Sequence, residues 1–515
     1  MKQLRIIQRM KRVTAASLAS LALALAALVP LVGPAGVAGA TTIKTYDWSK
    51  RSGLQGQMTY GDVTNMAVAA DSSGNTYSVG YFTGDVIFDG FGGSDTASSA
   101  DLSAFITKRS SNGSYVWTKT VDGDSLYAYS RAFSVAVDSN DNVYVYGDYY
   151  GTVLFDGWDD RETELTNAFL LKYAANGSYI ETLTSGPDDE YSYIQPRKVV
   201  VDYNDDLYLV GTFGGTVDHD IASPVENLNT SINGSSYLTK MLNDNSYEWT
   251  SIMGTANGGA STGEDVAVDG AGGNVIITGT TWGEVEFDGP SGTETHISNN
   301  GTPFVIKYGT GGSFSWGKTF GVDGTPEEGS AHGNGVAVDA NHNVYITGGY
   351  NDTVTFDGAG GSDTRAASSP SVFVTKYDQD GYYQWTRSTY GGNGSQGNKI
   401  VSDHDGHVYV TGEFEYIVYF DGYGGSDDHN GGDGSAFVTE LSEGGAYGWT
   451  HSFGVDEDGE AEALGLAVTP SSLYFVGMFS DGLVTFDGSG GSDDTDLTSY
   501  SGNAAFITKL GRTEE

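Results

Sequence analysis

A glycine follows an alternating apolar run seven times along the chain, at Gly80, Gly147, Gly211, Gly279, Gly348, Gly412 and Gly477, spaced 64 to 69 residues apart. Seven repeats of roughly 66 residues fill positions 41–515 and leave no room for a second domain. Each repeat holds four short segments with the two-residue alternation of half-buried strands. In the fifth they read GVAVDA, NVYITG, VFVTKY and YQWTRS. Tight polar turns such as DANHN and DSSGN join the first two segments, and SSNGS or AANGS join the last two. The Asn-Gly pair in the latter is a strong hairpin signal.

Four antiparallel strands repeated seven times predict an all-β chain, a seven-bladed β-propeller of four-stranded blades. Trp48, Trp117, Trp249, Trp316, Trp385 and Trp449 recur in the fourth strand and are expected to fill contacts between blades. The seventh repeat ends on AAFITKL without a fourth strand, whereas TYDWSK (Thr45–Lys50) opens the chain with no third strand before it. The N-terminal strand is therefore expected to pair beside Phe506, Ile507 and Thr508, completing the last blade and closing the ring. Pairing there would cover an open sheet edge. With no cysteine in the chain, it would also join the two ends without a disulfide.

The segments VAVDSNDNVYVYG and AFVTKYD, with the fourth-strand tryptophan, resemble the bacterial seven-bladed beta-propeller (SBBP-type) repeat family over residues 41–515. The resemblance implies architecture and an exported or cell-envelope setting, and it brings no catalytic motif. Two departures predict local irregularity. The third repeat has TVDHD where others have FDG, and the second has Glu181 where tryptophan is expected.

Residues 1–40 read as a signal peptide: a basic head (Lys2, Arg5, Arg9, Lys11, Arg12), an Ala/Leu run from Val13 to Val32, and Ala38-Gly39-Ala40 as cleavage site. An uncleaved N-terminal anchor is the other reading of that run. Elsewhere no stretch reaches the ~20 apolar residues that span a bilayer. The expected product is secreted, extracellular or held in the cell envelope, monomeric, and not membrane-inserted once the signal is removed. The whole chain carries a formal charge of −42; without the leader, 20 basic residues face 67 acidic ones. Such an excess argues against nucleic acid and anionic membranes as partners.

Antiparallel alternation sends the short turns to one face and the long, variable connections to the other. The long ones are acidic, as in SGPDDEYSYIQ and GVDEDGEAEALG. Function is expected on this face, near the channel mouth. Six of the seven connections between second and third strands begin FDG and carry a second acid six positions after the aspartate. The pairs are Asp89/Asp95, Asp156/Glu162, Asp288/Glu294, Asp357/Asp363, Asp421/Asp427 and Asp487/Asp493. Two readings stay open. A glycine loop with two carboxylates suits Ca²⁺, a hard cation taking oxygen ligands. The same composition also suits a plain hairpin tip. DSNDN (Asp138–Asn142) and DHDGH resemble the start of a calcium loop but lack its closing glutamate, so they read as turns.

Catalytic signals are weak. Gly259–Gly263 matches G-x-S-x-G by composition alone, in what reads as a loop, and His404 and His407 read as solvated turn histidines. Three functions remain. The first is a scaffold binding glycan or protein at the long-loop face, where Tyr127, Tyr129, Tyr191 and Tyr193 could stack on sugars. The second is a structural envelope component, and the third a polysaccharide hydrolase or lyase.

Overall fold

A computed structural model describes residues 42–53, 61–90, 95–124, 127–155, 159–220, 228–270, 273–287, 294–320, 329–357, 363–392, 394–422, 424–454, 459–480, 483–484, 486, 497–498 and 502–513. The leader read at 1–40 lies outside them. Among the described residues all regular structure is β, and no helix is long and apolar enough to cross a membrane.

Strand β1 (Thr42–Ser52) precedes the repeats. The first repeat runs β2 (Val63–Ala70), β3 (Thr76–Ile87), β4 (Thr96–Arg109) and β5 (Tyr115–Gly123). The second is β6 (Tyr129–Val137), β7 (Val143–Phe155), β8 (Asp159–Tyr173) and β9 (Tyr179–Ser185). The third is β10 (Tyr193–Val201), β11 (Leu207–Asp218), β12 (Leu228–Met241) and β13 (Tyr247–Ile252). The fourth is β14 (Gly254–Asp269), β15 (Asn274–Glu286), β16 (Thr295–Tyr308) and β17 (Phe314–Thr319). The fifth is β18 (Ala331–Val338), β19 (Val344–Thr355), β20 (Thr364–Tyr377) and β21 (Tyr383–Ser388).

In the sixth, short β22 (Tyr390–Gly391) leads into β23 (Gly394–Ser402) and β24 (Val408–Glu415). Its long hairpin then forms β25 (Ile417–Tyr419) and β26 (Asp428–Asn430) before β27 (Ser435–Leu441) and β28 (Tyr447–Gly454). The seventh is β29 (Ala461–Thr469), β30 (Ser472–Phe479), short β31 (Leu483–Val484) and β32 (Leu497–Thr498), and β33 (Ala504–Thr513).

Within each repeat the strands pair antiparallel in chain order. The last repeat is completed out of order, as β1-β33-β30-β29. The first strands lie side by side from β2 through β6, β10, β14, β18 and β23 to β29, and β29 packs beside β2. Hydrogen bonding divides the strands into eight sheets rather than seven. One is eight-stranded, because β5 pairs with β7 through Val121↔Phe155 and its two neighbours. Two small ones, β22-β25-β26 and β31-β32, are outer parts of long connections in the sixth and seventh repeats. In the first five repeats the corresponding hairpin continues past a register shift, as at Phe82/Gly84, so no separate sheet forms.

The repeat glycine has a steric cause. The first strand bulges opposite it, as at Asn65/Ala67, and drives a carbonyl toward the second strand. A Cβ at Gly80 would stand 1.8 Å from Thr64 O, one at Gly348 1.7 Å from His332 O, and one at Gly477 1.8 Å from Glu462 O. Only glycine tolerates that approach.

Neighbouring repeats share apolar layers. Val79 and Ile106 of the first pack with Val135 and Phe169 of the second, and Trp48 with Val68, Tyr474 and Ile507. Third-strand lysines reach across these layers to the next turn: Lys108 Nζ donates to Ala175 O at 2.8 Å and Lys509 Nζ to Ser111 O at 3.2 Å. In the sixth repeat Glu440 stands in place of the lysine and accepts the Trp449 indole N–H at 2.7 Å.

The two repeats expected to be irregular each keep four strands. In the third, His219 fills the place of the FDG phenylalanine, its ring 4.8 Å from Phe213 and 4.5 Å from Tyr237.

Candidate functional site: the long-loop face

The FDG phenylalanine anchors each hairpin tip. Phe88 and Phe356 are buried, and the Phe88 ring lies 4.9 Å from Phe105. The phenylalanine amide closes the loop on the second acid's carbonyl, at 2.9 Å for Phe88→Asp95, 3.0 Å for Phe356→Asp363 and 3.1 Å for Phe420→Asp427. The first aspartate accepts tip amides: Asp357 from Asp363 N at 2.9 Å, Asp421 from Ser426 N at 2.7 Å.

The second acids clamp the hairpin. Asp363 pairs with Arg365 at 2.8 Å and accepts the Tyr383 hydroxyl. Asp427 does the same with His429 Nε2 at 3.3 Å and Tyr447. Glu294 lies 3.4 Å from His296 Nε2. In the first loop no basic residue stands two positions after Asp95. Burial raises the Asp95 pKa, the charge of Asp89 adds to it, and one buried oxygen, Oδ2, has no hydrogen-bond partner.

Asp156, Asp288, Asp487 and Asp493 lie outside the described residues. Glu162 does not occupy the place of the other second acids. The shorter second-repeat loop sets Asp159 opposite Phe155, and Glu162 is an exposed strand residue opposite Thr152. Among the described residues no three His, Asp or Glu side chains gather closely enough to hold a metal ion. In the first loop the charge that Asp95 feels from Asp89 is accompanied by Arg109, whose guanidinium the Asp89 carboxylate stabilises and whose Nη2 donates to Phe88 O at 2.7 Å.

The short turns on the opposite face satisfy themselves. Asp138 accepts the amides of Asn140 and Asn142 at 2.9 and 2.8 Å, the Asn142 side chain at 2.8 Å and the Tyr144 hydroxyl at 3.3 Å. Asp403 likewise holds His407, with Nδ1 at 3.3 Å, while His404 is exposed. The G-x-S-x-G match lies within β14 rather than in a loop. Ser261 is 1% exposed and accepts the Ser236 amide at 2.8 Å, so it is no nucleophile elbow.

On the long-loop side, Tyr127 and Tyr191 stand out from neighbouring connections at 72% and 84% exposure, with Tyr193 at 38%. Tyr127 sits at φ 80, a conformation costly for a bulky residue. Its connection is tied to the next hairpin by Asp124 N→Thr152 O at 2.9 Å, and that of Tyr191 by Asp188 N→Thr216 O at 3.0 Å. Tyr129 is not free, since it stacks on Tyr150 at 5.9 Å beneath Arg131.

The same face carries a cleft of about 260 Å³ between the sixth and seventh repeats, walled by Phe414 and Met478 and lined by Glu413, Glu415, Glu460 and Glu462. Burial and the neighbouring Glu413 push the Glu462 pKa up to about 7, against one hydrogen bond from Asn398 at 3.1 Å. Burial with Glu415 and Glu460 raises Glu413 as well. The acidic connection containing Glu460 and Glu462 is plain in the sequence. Glu413 and Glu415, in GEFE, were not singled out, although charge where other repeats are largely uncharged was the available signal.

No family model matches the chain, so its likeness to the bacterial seven-bladed repeat rests on the motifs alone. An uncharacterized WD repeat-containing protein, L264, of Acanthamoeba polyphaga mimivirus is 26% identical over 367 residues. The match covers 60% of this chain and 26% of that protein, so the chain spans about a quarter of the curated relative's length. Similar solved structures include a PL25 ulvan lyase, with TM-score 0.40, 10% identity, and coverage of 90% of this chain and 97% of that one. A calcium-binding regucalcin of Agrobacterium tumefaciens has TM-score 0.30 and 9% identity, covering 74% and 92%. At these values neither likeness transfers a residue or an activity.

Proposed function

We propose that residues 41–515 form a seven-bladed β-propeller closed by β1, exported as a monomeric binding scaffold that holds glycan on its long-loop face. The ring is supported by the β1-β33-β30-β29 order and by the cyclic succession of first strands. The relative's name records WD repeats, and repeats of that kind build propeller blades. Seven four-stranded blades also give the repeat count a physical reason.

One observation carries the glycan reading: Tyr127 and Tyr191 are exposed on adjacent connections that also hold Asp122, Asp124, Asp188 and Glu190. Aromatic faces cover the apolar C–H faces of sugar rings, and carboxylates accept their hydroxyls. Holding a tyrosine at positive φ costs roughly 1–3 kcal/mol, a strain that collects at ligand sites. A glycan array with and without calcium, followed by titration of the best hit, tests the reading. Wild type should bind and the Tyr127→Ala/Tyr191→Ala double variant should lose about ten-fold in affinity. Equal binding by the variant would end it.

A specific observation also favours a polysaccharide hydrolase or lyase. Glu462 sits in an acidic cleft with its pKa raised to about 7 by burial and by the second carboxylate Glu413, which suits a general acid. Turnover on neutral and acidic polysaccharides, lost in Glu462→Gln, would support it. For calcium the reading stays with the FDG loops, in the first of which Asp89 and Asp95 would be the carboxylate ligands and backbone carbonyls and water the rest.

A further inference from the structure

The outer groove between the fifth and sixth repeats differs from the acidic face. It has a volume of about 550 Å³, and its lining includes two arginines, Arg365 and Arg387, one carboxylate, Asp421, and three tyrosines, Tyr350, Tyr390 and Tyr447. Arg365 is neutralised by Asp363 at 2.8 Å. Arg387 is not. Its Nε donates to Gly445 O at 2.6 Å, its Nη1 to Thr386 O at 3.2 Å, and its guanidinium lies 5.6 Å from the Trp385 ring.

Those contacts fix the fork in position while supplying no carboxylate, and among the described residues Arg387 has no acidic partner. In a chain of net charge −42, a positioned arginine without an ion-pair partner stands out. The repeats show that this is particular to the fifth. At the two equivalent positions the fourth has His296 and Lys318, the sixth has His429 and His451, and the first has Ala97 and Lys119. Only the fifth places two permanently charged, planar guanidinium groups there.

We infer that this groove is a binding site for an acidic sugar, with Arg387 taking the carboxylate of a uronate through the guanidinium N–H groups that Gly445 and Thr386 leave uncommitted. Planar recognition of a carboxylate is the geometry in which arginine outperforms lysine. Tyr390, 45% exposed at the groove, offers a ring face to the pyranose, and Ser388 and Thr364 offer hydroxyl partners. Of the three tyrosines only Tyr390 presents its ring to solvent, since Tyr350 is buried and Tyr447 is held by Asp427. The site lies apart from Tyr127 and Tyr191 in the first two connections, so it stands or falls independently of the glycan reading for the long-loop face.

The test titrates the full folded chain with an oligoglucuronate, a neutral cello-oligosaccharide of equal length and an oligoglutamate peptide, at two salt concentrations. The oligoglucuronate should bind with salt-sensitive affinity, and the neutral sugar at least ten-fold more weakly. Arg387→Gln should weaken the uronate by ten-fold or more, while Arg387→Lys keeps charge but recovers only part of the loss. Tyr390→Ala, at an exposed position, should weaken the uronate while leaving the melting temperature unchanged. Uronate binding that survives Arg387→Gln overturns the site, as does no uronate binding by wild type at millimolar concentration. Oligoglutamate binding as tightly as oligoglucuronate would overturn the sugar assignment in favour of an acidic peptide.

Discussion

The indole of Trp48 lies so close over Gly113 that a Cβ there would stand 2.8 Å from its Cδ2. Gly113 adopts φ 82 in the turn between β4 and β5, and Trp48 belongs to β1. The same lock recurs between successive repeats, with Trp117 over Gly177, Trp249 over Gly312, Trp316 over Gly381 and Trp385 over Gly445. Trp48 thus does for the seventh repeat what the other tryptophans do for theirs. Truncating a buried tryptophan costs roughly 3–5 kcal/mol. Trp48→Ala should therefore lower stability to urea by an amount in that range, and Gly113→Ala should also destabilise by strain and overlap. Trimming Glu514 and Glu515 should change little.

Where tryptophan is missing, its glycine is missing too. Glu181 stands in the tryptophan position of the second repeat, and the facing turn has Asn245 at φ 65, whose side chain donates to the Glu181 carboxylate. With no indole overhead, a Cβ fits. Glu181→Trp alone should destabilise by collision and Asn245→Gly alone by loss of the hydrogen bond. The double variant should recover, with a coupling on the order of 1–2 kcal/mol in a double-mutant cycle.

Two buried groups set opposing pH limbs. Glu462 is raised from 4.5 to about 7 by burial and by Glu413, so the folded state holds its proton more tightly than the unfolded one. Its contribution is present below pH 4.5 and lost as pH rises through 7. His219, lowered by burial from 6.5 to about 3, acts the other way, costing stability as pH falls below 6.5. Glu462→Gln should flatten the limb between pH 4.5 and 7, on the order of 1–2 kcal/mol after allowing for solvent at a partly exposed group. His219→Phe, which restores the usual ring of that position, should flatten the limb below pH 6.5. Urea midpoints across pH 4–8 measure both.

Calcium stabilisation should be small for each FDG loop. Extracellular sites bind near 10⁻⁴–10⁻³ M, and ten-fold excess over that constant adds about 1.4 kcal/mol per site. A melt in millimolar calcium against chelator should shift upward by a degree or two, and Asp89→Asn with Asp95→Asn should reduce the shift. A shift untouched by that pair would place the ion elsewhere.

Much of this fold was legible in the sequence because its causes are local. Alternation, the Asn-Gly turns and the repeat glycine at each bulge follow from contacts within one repeat. The displaced β1 strand was visible because its tryptophan motif had no third strand before it. Loop register was not. The FDG spacing suggested that Glu162 matched Asp95, but a loop shortened before Asp159 moves the match, and spacing along a chain cannot reveal a deletion in a hairpin tip. Arg365, His296 and His429 stand two positions after Asp363, Glu294 and Asp427, and spacing alone does not show that these side chains turn toward one another at a strand start. The third repeat looked irregular since His219 replaces phenylalanine, yet a neutral buried ring packs there almost as phenylalanine does. Arg387 carries no local signal, because its lack of a carboxylate partner depends on the adjoining repeat.

Both proposed ligand sites rest on the proposed ring, so the most direct test addresses its closure. Ser49 Oγ and Thr508 Oγ1 lie 2.8 Å apart across the β1–β33 pair, 459 residues apart in sequence. The chain has no cysteine, so Ser49→Cys with Thr508→Cys yields the only two thiols in the protein. Under mild oxidation of the folded protein, thiol titration and intact mass should show one intramolecular disulfide, with a melting temperature above that of the reduced form. Two free thiols in the folded, oxidised protein, or disulfide-linked dimers in their place, would contradict closure by the N-terminal strand.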